Sequence, residues 1–327
     1  MGLWSRIKAY VAQLFGGEPV PGHFATGSKF AFGGWVGVAP HVWPSRDYLV
    51  YLPPRRWLWK RAPLLVLCHG CKQTPEEFAQ GTRVAELADR LGCVVLLPRQ
   101  KDAANAWGCW NWFDARTAAG HGETAIIAAQ IRSVSRRYRI DKKRVVVAGM
   151  SAGGAIAAAL GVRYPRLVSG VAVHSGLACG AATSALSALQ VMQQGPETDV
   201  ERIGIVARDR AGTARLQVPL LAIHGEADRV VAATNTTALV RQYLALNGFS
   251  AAADLPPPTT EQQRILPDGR SETVREWKRD GQLVARQVSV SGLGHAWSGG
   301  DATLAYNDAG APDATALVGA FLADGLS

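Results

Sequence analysis

The chain has 327 residues, of which 48% are hydrophobic, so it can bury a sizeable core in one large domain or two small ones. No apolar run approaches the ~18 residues of a transmembrane helix, and we expect no stable membrane insertion. Lysine and arginine outnumber the acidic residues by 35 to 26, but they are dispersed without a nucleic-acid-binding motif, so we expect no nucleic-acid partner.

The first 20 residues contain no clear signal peptide, because Arg6 and Lys8 interrupt what would be its apolar region. Five apolar residues recur there at helical spacing, namely Trp4, Ile7, Val11, Leu14 and Phe15. They predict a short amphipathic helix that packs on the domain, with contact to a membrane surface as the sharper alternative. We therefore expect an N-terminal segment at 1–20 and a single catalytic domain at 21–327.

Short runs rich in Val, Leu and Ile alternate with helical stretches along the rest of the chain. The predicted strands are Tyr48–Leu52, Leu64–Cys68, Val94–Leu97, Val145–Ala148, Val168–Val173 and Leu220–His224, with a hairpin at roughly Thr273–Val290 turning at Asp280-Gly281. The predicted helices are Pro75–Leu91, Glu123–Tyr138, Ala152–Tyr164, Thr234–Asn247 and one near Pro312–Leu322. The Pro-rich stretch Asp254–Gln263 reads as a surface loop. Apolar strands alternating with helices indicate an α/β fold whose mostly parallel sheet is covered by helices on both faces.

The most informative segment is Gly149-Met150-Ser151-Ala152-Gly153, the only G-x-S-x-G in the chain, between a predicted strand and an Ala-rich helix. This context is typical of a nucleophile elbow, in which small flanking residues let a sharp turn raise the serine above the sheet. The N–H of Ala152, at the start of the helix, would then face a developing oxyanion. The alternative is a Gly-rich turn whose serine only caps the helix.

A nucleophilic serine needs a histidine base and an acid that orients it, and in the α/β-hydrolase fold they follow in the order serine, acid, histidine. Asp228 lies in the loop directly after a predicted strand, with Glu226 as the near alternative. His295, in the glycine-rich stretch GLGHAWSGG, is the histidine that lies downstream of this acid. Ser151, Asp228 and His295 are therefore the predicted catalytic residues.

The stretch Cys68-His69-Gly70-Cys71 raises metal-site and redox interpretations. Cys68 and His69 should point to opposite faces of the sheet, which disfavours one metal held by both. A capping box that begins at Thr74 starts the next helix, so Cys71 lies in the loop, short of the helix N-terminus where a low-pKa thiol generally sits. This loop supplies the second oxyanion donor in α/β-hydrolases, and the backbone N–H of Cys71 is the expected donor.

These pieces belong to a set of motifs that run in order from about Gly22 to Leu322: CHGCKQTPEEFAQGT, CWNWF, AGMSAGG, HSGLACGAA, HGEADRVV and GLGHAWSGG. With them the chain resembles the polyhydroxybutyrate (PHB) depolymerase family of esterases, in its short single-domain form. The resemblance implies an α/β-hydrolase that cleaves carboxylic esters: polyhydroxyalkanoate chains or oligomers, short acyl esters, or aryl esters such as feruloyl groups. By position, Ser151, Asp228 and His295 match the family's triad, and Cys71 its oxyanion loop.

The resemblance also suggests a disulfide between Cys71 and Cys109, against the alternative of two separate buried thiols. An extracellular location would fit that disulfide, whereas the lack of a clear signal peptide leaves a cytoplasmic one open. Four tryptophans either line the substrate cleft or are ordinary core aromatics: Trp107, Trp110, Trp112 and Trp297. The segment at about 175–217 has room for a modest cap but not for a large lid.

The sequence thus predicts a serine esterase that acts through an acyl-enzyme, with an ester as its partner and no metal or organic cofactor. The first alternative is a serine peptidase of the same fold and triad order. Others are a non-catalytic binding protein that keeps the fold and, from the basic composition, a nucleic-acid binder.

Overall fold

The structure, a computed structural model, describes residues 21–54, 61–212, 217–249 and 255–324. The amphipathic helix expected within residues 1–20 lies outside them. The strands are β1 (His23–Phe30), β2 (Ser45–Leu52), β3 (Ala62–Cys68), β4 (Val94–Pro98), β5 (Ile140–Met150), β6 (Gly170–His174), β7 (Leu220–Gly225), β8 (Thr260–Ile265), β9 (Ser271–Arg279), β10 (Gln282–Val290), β11 (Trp297–Ser298) and β12 (Asn307–Asp308). The helices are α1 (Pro75–Gly81), α2 (Val84–Leu91), α3 (Ala115–Ala118), α4 (Gly122–Arg137), α5 (Ala152–Arg163), α6 (Ala185–Gln194), α7 (Val200–Ala211), α8 (Thr234–Leu246) and α9 (Ala314–Asp324).

Ten of the strands form one sheet in the order β1-β2-β4-β3-β5-β6-β7-β10-β9-β8. The neighbours from β4 to β10 pair in parallel, and the pairs at both edges are antiparallel. Because the central strands are parallel, their carboxyl ends meet at one edge of the sheet, where ligands bind in open α/β folds. The predicted fold class is confirmed.

The core lies on both faces of the sheet because the central strands are apolar along their whole length. Val145 and Val147 of β5 face a layer built mainly on α4, α5 and α8, whereas Val146 and Ala148 face α2 and α9. This alternation follows from the two-residue period of a strand. Helix α5 is almost wholly buried, which explains its Ala- and Gly-rich sequence.

Two local predictions have opposite outcomes. The hairpin is confirmed, since β9 ends at Arg279, β10 begins at Gln282, and Asp280 and Gly281 both have positive φ. The single helix predicted over Pro75–Leu91 is wrong, because Arg83, with φ of 53°, separates α1 from α2. The capping box at the start of α1 is present, with the N–H of Glu77 donating to Thr74 and that of Thr74 to Glu77.

The Pro-rich stretch is only partly a loop, because Thr260 already begins the exposed edge strand β8. The polar residues of β8 hide it from a pattern search, and it is held by pairing with β9. Between β6 and β7 the chain forms α6 and α7, and α7 packs on α8. Within the described residues, none of the helices has the length and apolarity needed to cross a bilayer.

Candidate active site

The predicted site residues leave the sheet at the carboxyl ends of its parallel strands. Cys71 follows β3, Ser151 follows β5, Asp228 follows β7 and His295 follows β10. In the sheet register Gly149 lies opposite Cys68 on one side of β5, and Met150 lies opposite His174 on the other. The fold therefore gathers residues that are distant in sequence at one edge of the sheet.

Ser151 occupies a sharp strand-to-helix turn with φ of 55° and ψ of −123°, a backbone conformation rare outside glycine. Its N–H donates to the carbonyl of His174 at 3.0 Å, and helix α5 begins at the next residue, Ala152. A Cβ at Gly153 would overlap the carbonyl oxygens of Cys68 and His69, so only glycine lets α5 approach β3 this closely. The glycines of the motif are thus explained by packing around the elbow.

Asp228 and His295 are in direct contact, with Nδ1 of His295 donating to Oδ2 of Asp228 at 2.8 Å. The other carboxylate oxygen accepts the N–H groups of Val230 and Val231, each at 2.9 Å. Burial alone would raise the pKa of Asp228, but the hydrogen bond and charge of His295 and these N–H groups lower it to about 2. The alternative acid, Glu226, is exposed to solvent.

The loops that carry the acid and the histidine are also joined through their backbones. The N–H of Ala227 donates to the carbonyl of Leu293 at 3.0 Å, and that of Glu226 to the carbonyl of Val290 at 2.9 Å. These bonds hold the two loops in register, so that the side-chain contact between Asp228 and His295 does not depend on one hydrogen bond.

His224 supports the acid, a role that sequence reasoning missed. Its Nε2 lies 2.9 Å from the carbonyl of Val231 and 3.7 Å from Oδ2 of Asp228, while Nδ1 lies 2.6 Å from the hydroxyl of Thr236. A carbonyl can only accept, so Nε2 carries the proton and Nδ1 accepts from Thr236. Burial lowers the pKa of His224, which keeps the ring neutral beside the carboxylate. The sequence signal that could have indicated this contact is the HG-x-x-D spacing, which places His224 four residues before Asp228.

The third histidine of this region, His174, is fully buried and stacks on Trp297 with 5.3 Å between ring centroids. Burial lowers the pKa of His174 to about 3, so it stays neutral. The His295 side chain, by contrast, is 10% exposed. Only His295 of the three combines an acid partner at hydrogen-bond distance with access to solvent.

The loop after β3 runs beside Ser151. A Cβ built on Gly70 would come within 3.7 Å of the Cβ of Ser151, and the N–H of Gly70 donates to Oε1 of Gln73 at 2.9 Å. Cys71 forms a disulfide with Cys109, which fixes the loop. The N–H of Cys71 donates no hydrogen bond to any residue in the described part of the chain, and the N–H of Ala152 has no partner within its helix.

A buried polar network supports the far side of this disulfide. Arg46 and Glu123, both buried, form an ion pair at 3.1 Å. Glu123 also accepts the backbone N–H of Asn111 at 2.7 Å and the amide of Gln100 at 2.6 Å. Gln100 in turn donates to the carbonyl of Cys109 at 2.8 Å. This network could not be predicted from the sequence, because its members lie far apart along the chain.

The tryptophans expected at the cleft require a correction. Trp110, Trp112 and Trp297 are 0%, 7% and 2% exposed, so they pack behind the site instead of lining it. The indole N–H of Trp110 donates to the carbonyl of His69, and that of Trp297 to the hydroxyl of Thr315. Trp110 and Trp297 can fill the core because the polar N–H of each has a partner inside it. Trp107 alone of the four is exposed, at 65%.

The fold and the arrangement of serine, histidine and acid define an α/β-hydrolase. A family described as Esterase PHB depolymerase matches residues 46–261, and the chain belongs to this family. The matched range includes Ser151 and Asp228 and ends before His295.

Curated relatives fall into two groups of esterases. Poly(3-hydroxyalkanoate) depolymerase C of Paucimonas lemoignei is 30% identical over 196 residues, covering 59% of this chain and 47% of the relative. Poly(3-hydroxybutyrate) depolymerase of Ralstonia pickettii is 24% identical over 315 residues, covering 92% and 57%. Feruloyl esterase B of Neurospora crassa is 27% identical over 227 residues, covering 67% and 77%. The chain thus spans about half the length of the two depolymerases.

Among solved structures, an acetyl xylan esterase from Aspergillus awamori superposes with a TM-score of 0.63 at 18% identity. The match covers 83% of this chain and 94% of the other. At this identity the likeness concerns the fold alone.

Proposed function

We propose that the protein is a serine esterase that hydrolyses carboxylic esters through an acyl-enzyme. The observation that carries the proposal is the 2.8 Å hydrogen bond between His295 and the buried Asp228, formed at the sheet edge where Ser151 is held in its elbow. This is the relation of base to orienting acid that an activated serine requires.

In the first half of the reaction, His295 accepts the proton of Ser151 as its Oγ attacks the ester carbonyl. Asp228 fixes the ring by binding Nδ1, which leaves Nε2 as the base and stabilises the imidazolium that forms. The N–H groups of Cys71 and Ala152 stabilise the oxyanion, and such a donor contributes about 3–4 kcal/mol in the transition state. The imidazolium then protonates the departing alcohol.

In the second half, His295 takes a proton from water as the water attacks the acyl-enzyme carbonyl. The same two N–H groups stabilise the second oxyanion, and collapse of this intermediate returns the proton to Ser151 and releases the acid. These steps use only protein groups and water.

We further propose polyhydroxyalkanoate chains or oligomers and short-chain acyl esters as substrates. The names of the depolymerase relatives support this, and so does the apolar surface beside the acid loop. Leu186 and Leu189 on α6 and Val230 next to Asp228 are 80%, 64% and 40% exposed. Gln193 joins the two surfaces by donating to the carbonyl of Val230 at 3.2 Å. Helices α6 and α7 would then form the modest cap of a single catalytic domain.

Feruloyl or other aryl esters are the second candidate class. The relative named feruloyl esterase B supports it, because the chain covers 77% of that protein. A panel of esters with matched leaving groups and either 3-hydroxybutyryl, butyryl or feruloyl acyl groups separates the two classes by their kcat/KM values.

Replacing Ser151 by alanine tests the mechanism. With p-nitrophenyl butyrate, kcat should fall on the order of 10⁶-fold, while the matched control Ser133→Ala on α4 keeps wild-type activity. A fluorophosphonate probe should label the wild type and the control but not Ser151→Ala. Retained hydrolysis in Ser151→Ala would refute the mechanism, and faster turnover of a peptide anilide than of the ester would favour the peptidase alternative.

A further inference from the structure

One exposed feature at the rim of the site has no part in the mechanism above: the side chains of Lys72 and Trp107. The ammonium nitrogen of Lys72 lies 4.8 Å from the centre of the Trp107 ring. Trp107 is 65% exposed, whereas Trp110, Trp112 and Trp297 are buried. An exposed indole next to a cation offers an apolar surface and a positive charge side by side.

The pair is held rigidly. The N–H of Lys72 donates to the carbonyl of Trp107 at 2.8 Å, and the neighbours Cys71 and Cys109 are joined by the disulfide. The N–H of Trp107 donates to the side chain of Asn105 at 3.0 Å. The backbones of the two segments therefore meet in one fixed geometry, and ligand binding would order only the ends of two side chains.

The backbone of Lys72 is strained, with φ of 58°. A non-glycine residue in this region raises the energy of the fold, and such strain is concentrated at functional sites. Lys72 follows directly after Cys71, whose N–H we assign to the oxyanion, and its backbone is bonded to that of Trp107. Within the described residues Lys72 forms no ion pair with a carboxylate.

We propose that Lys72 and Trp107 form a substrate subsite that selects esters carrying a free carboxylate. The ring of Trp107 would contact the apolar body of the substrate, and the ammonium of Lys72 would pair with the carboxylate. In a polyhydroxyalkanoate every internal unit is neutral and only the chain end carries a carboxylate. The subsite would therefore make the enzyme prefer soluble hydroxyalkanoate oligomers that end in a carboxylate to neutral segments of a longer chain. This inference rests on the proposed function and deepens it.

The test compares two substrates that share the same ester bonds and differ in charge: the linear trimer of 3-hydroxybutyric acid with a free carboxylate, and the same trimer with that carboxylate converted to a primary amide. The measured quantity is kcat/KM for the free acid divided by kcat/KM for its uncharged counterpart. An exposed ion pair contributes modestly, so Lys72→Met should lower this ratio about twofold to fivefold. The ratio for the wild type should also fall as salt is raised, and in Lys72→Met this salt dependence should be lost.

Two further variants sharpen the result. Trp107→Ala should raise KM for both trimers, because the ring contacts their shared apolar body. Lys143→Met removes an equal charge from an exposed position at the start of β5 and should leave the ratio unchanged. An equal ratio in the wild type and in Lys72→Met, or an equal effect in Lys143→Met, overturns the subsite. Turnover of p-nitrophenyl butyrate by the wild type, with its loss in Ser151→Ala, tests the esterase separately, so a failure of the subsite is distinguishable from a failure of the proposed function.

Discussion

Replacing Asp228 by asparagine should change which ring nitrogen of His295 carries the proton. One carboxylate oxygen accepts two backbone N–H groups, from Val230 and Val231, and the other accepts Nδ1–H of His295. An asparagine has one oxygen and one NH₂ group to place in these two positions. If its NH₂ faced the two backbone N–H groups, two hydrogen bonds would be lost, so its oxygen stays there and its NH₂ faces His295.

The NH₂ group then meets Nδ1 of His295 as a donor, and the ring must move its proton to Nε2 to supply an acceptor. A ring protonated at Nε2 cannot take the proton of Ser151. A substitution of this kind, which leaves geometry intact but imposes the wrong tautomer, lowers kcat by about 10⁴-fold. We therefore expect Asp228→Asn to keep KM near the wild-type value while kcat falls by about this factor.

The assay is steady-state hydrolysis of p-nitrophenyl butyrate at pH 7 to 8, with near-ultraviolet circular dichroism to verify folding. Glu226→Gln is the matched control, because it makes the same chemical change two residues earlier in the same loop on an exposed side chain. It should stay within about twofold of the wild type, as is usual for a surface substitution. If Asp228→Asn keeps more than a tenth of the activity, or Glu226→Gln loses as much, the assignment of the acid is wrong.

Three further predictions concern stability. Replacing Cys71 and Cys109 together by alanine should lower the free energy of unfolding in urea by about 4 kcal/mol, because the bridge spans a sequence separation of 38; a loss below about 1 kcal/mol would contradict this. Gly153→Ala forces a Cβ onto backbone carbonyls at the end of β3 and should cost about 1–3 kcal/mol in the same titration. At Gly269, where space is open, alanine should cost about 1–2 kcal/mol, through its positive φ alone. The pKa of Asp228 is lower in the folded state, about 2, than its unfolded value of about 3.9. Its contribution is therefore complete above the unfolded pKa and disappears as pH falls through the folded one, so the Tm difference between the wild type and Asp228→Asn should shrink over that interval. A Tm difference between the two proteins that does not change with pH would disprove this prediction.

Much of the fold could be predicted because its central strands are buried on both faces. Such strands are continuous apolar runs, and the predicted strand over Leu64–Cys68 differs from β3 only by its first two residues. The assignment of Ser151, Asp228 and His295 as the triad is a prediction from chain order, and each of the three follows a parallel strand whose carboxyl end lies at the same sheet edge. The pairing of Cys71 with Cys109 came from a family resemblance and not from spacing, and the structure contains that disulfide.

The features that could not be predicted from the sequence depend on tertiary contacts. Tryptophan is large and amphipathic, so its position along the chain does not determine whether it is covered. Trp110 is covered because its N–H reaches the carbonyl of His69, whereas Trp107 lies on an outer turn. The break at Arg83 follows Gly81, the last residue of α1, but a single glycine within a helical pattern does not by itself mark the end of a helix. The exposed edge strand β8 is fixed by its neighbour and not by its own polar residues.

The backbone conformation of Ser151 lowers the stability of the fold at the residue that we propose reacts with the substrate. Glycine adopts a φ of 55° freely, whereas serine there costs about 1–3 kcal/mol. A Ser151→Gly protein should therefore be inactive and yet melt at a higher temperature than the wild type. Selection for stability alone would therefore favour glycine at position 151. In the proposed mechanism the strain belongs to the placement of a nucleophile above the sheet, which a catalyst requires and a protein that only binds its ligand does not.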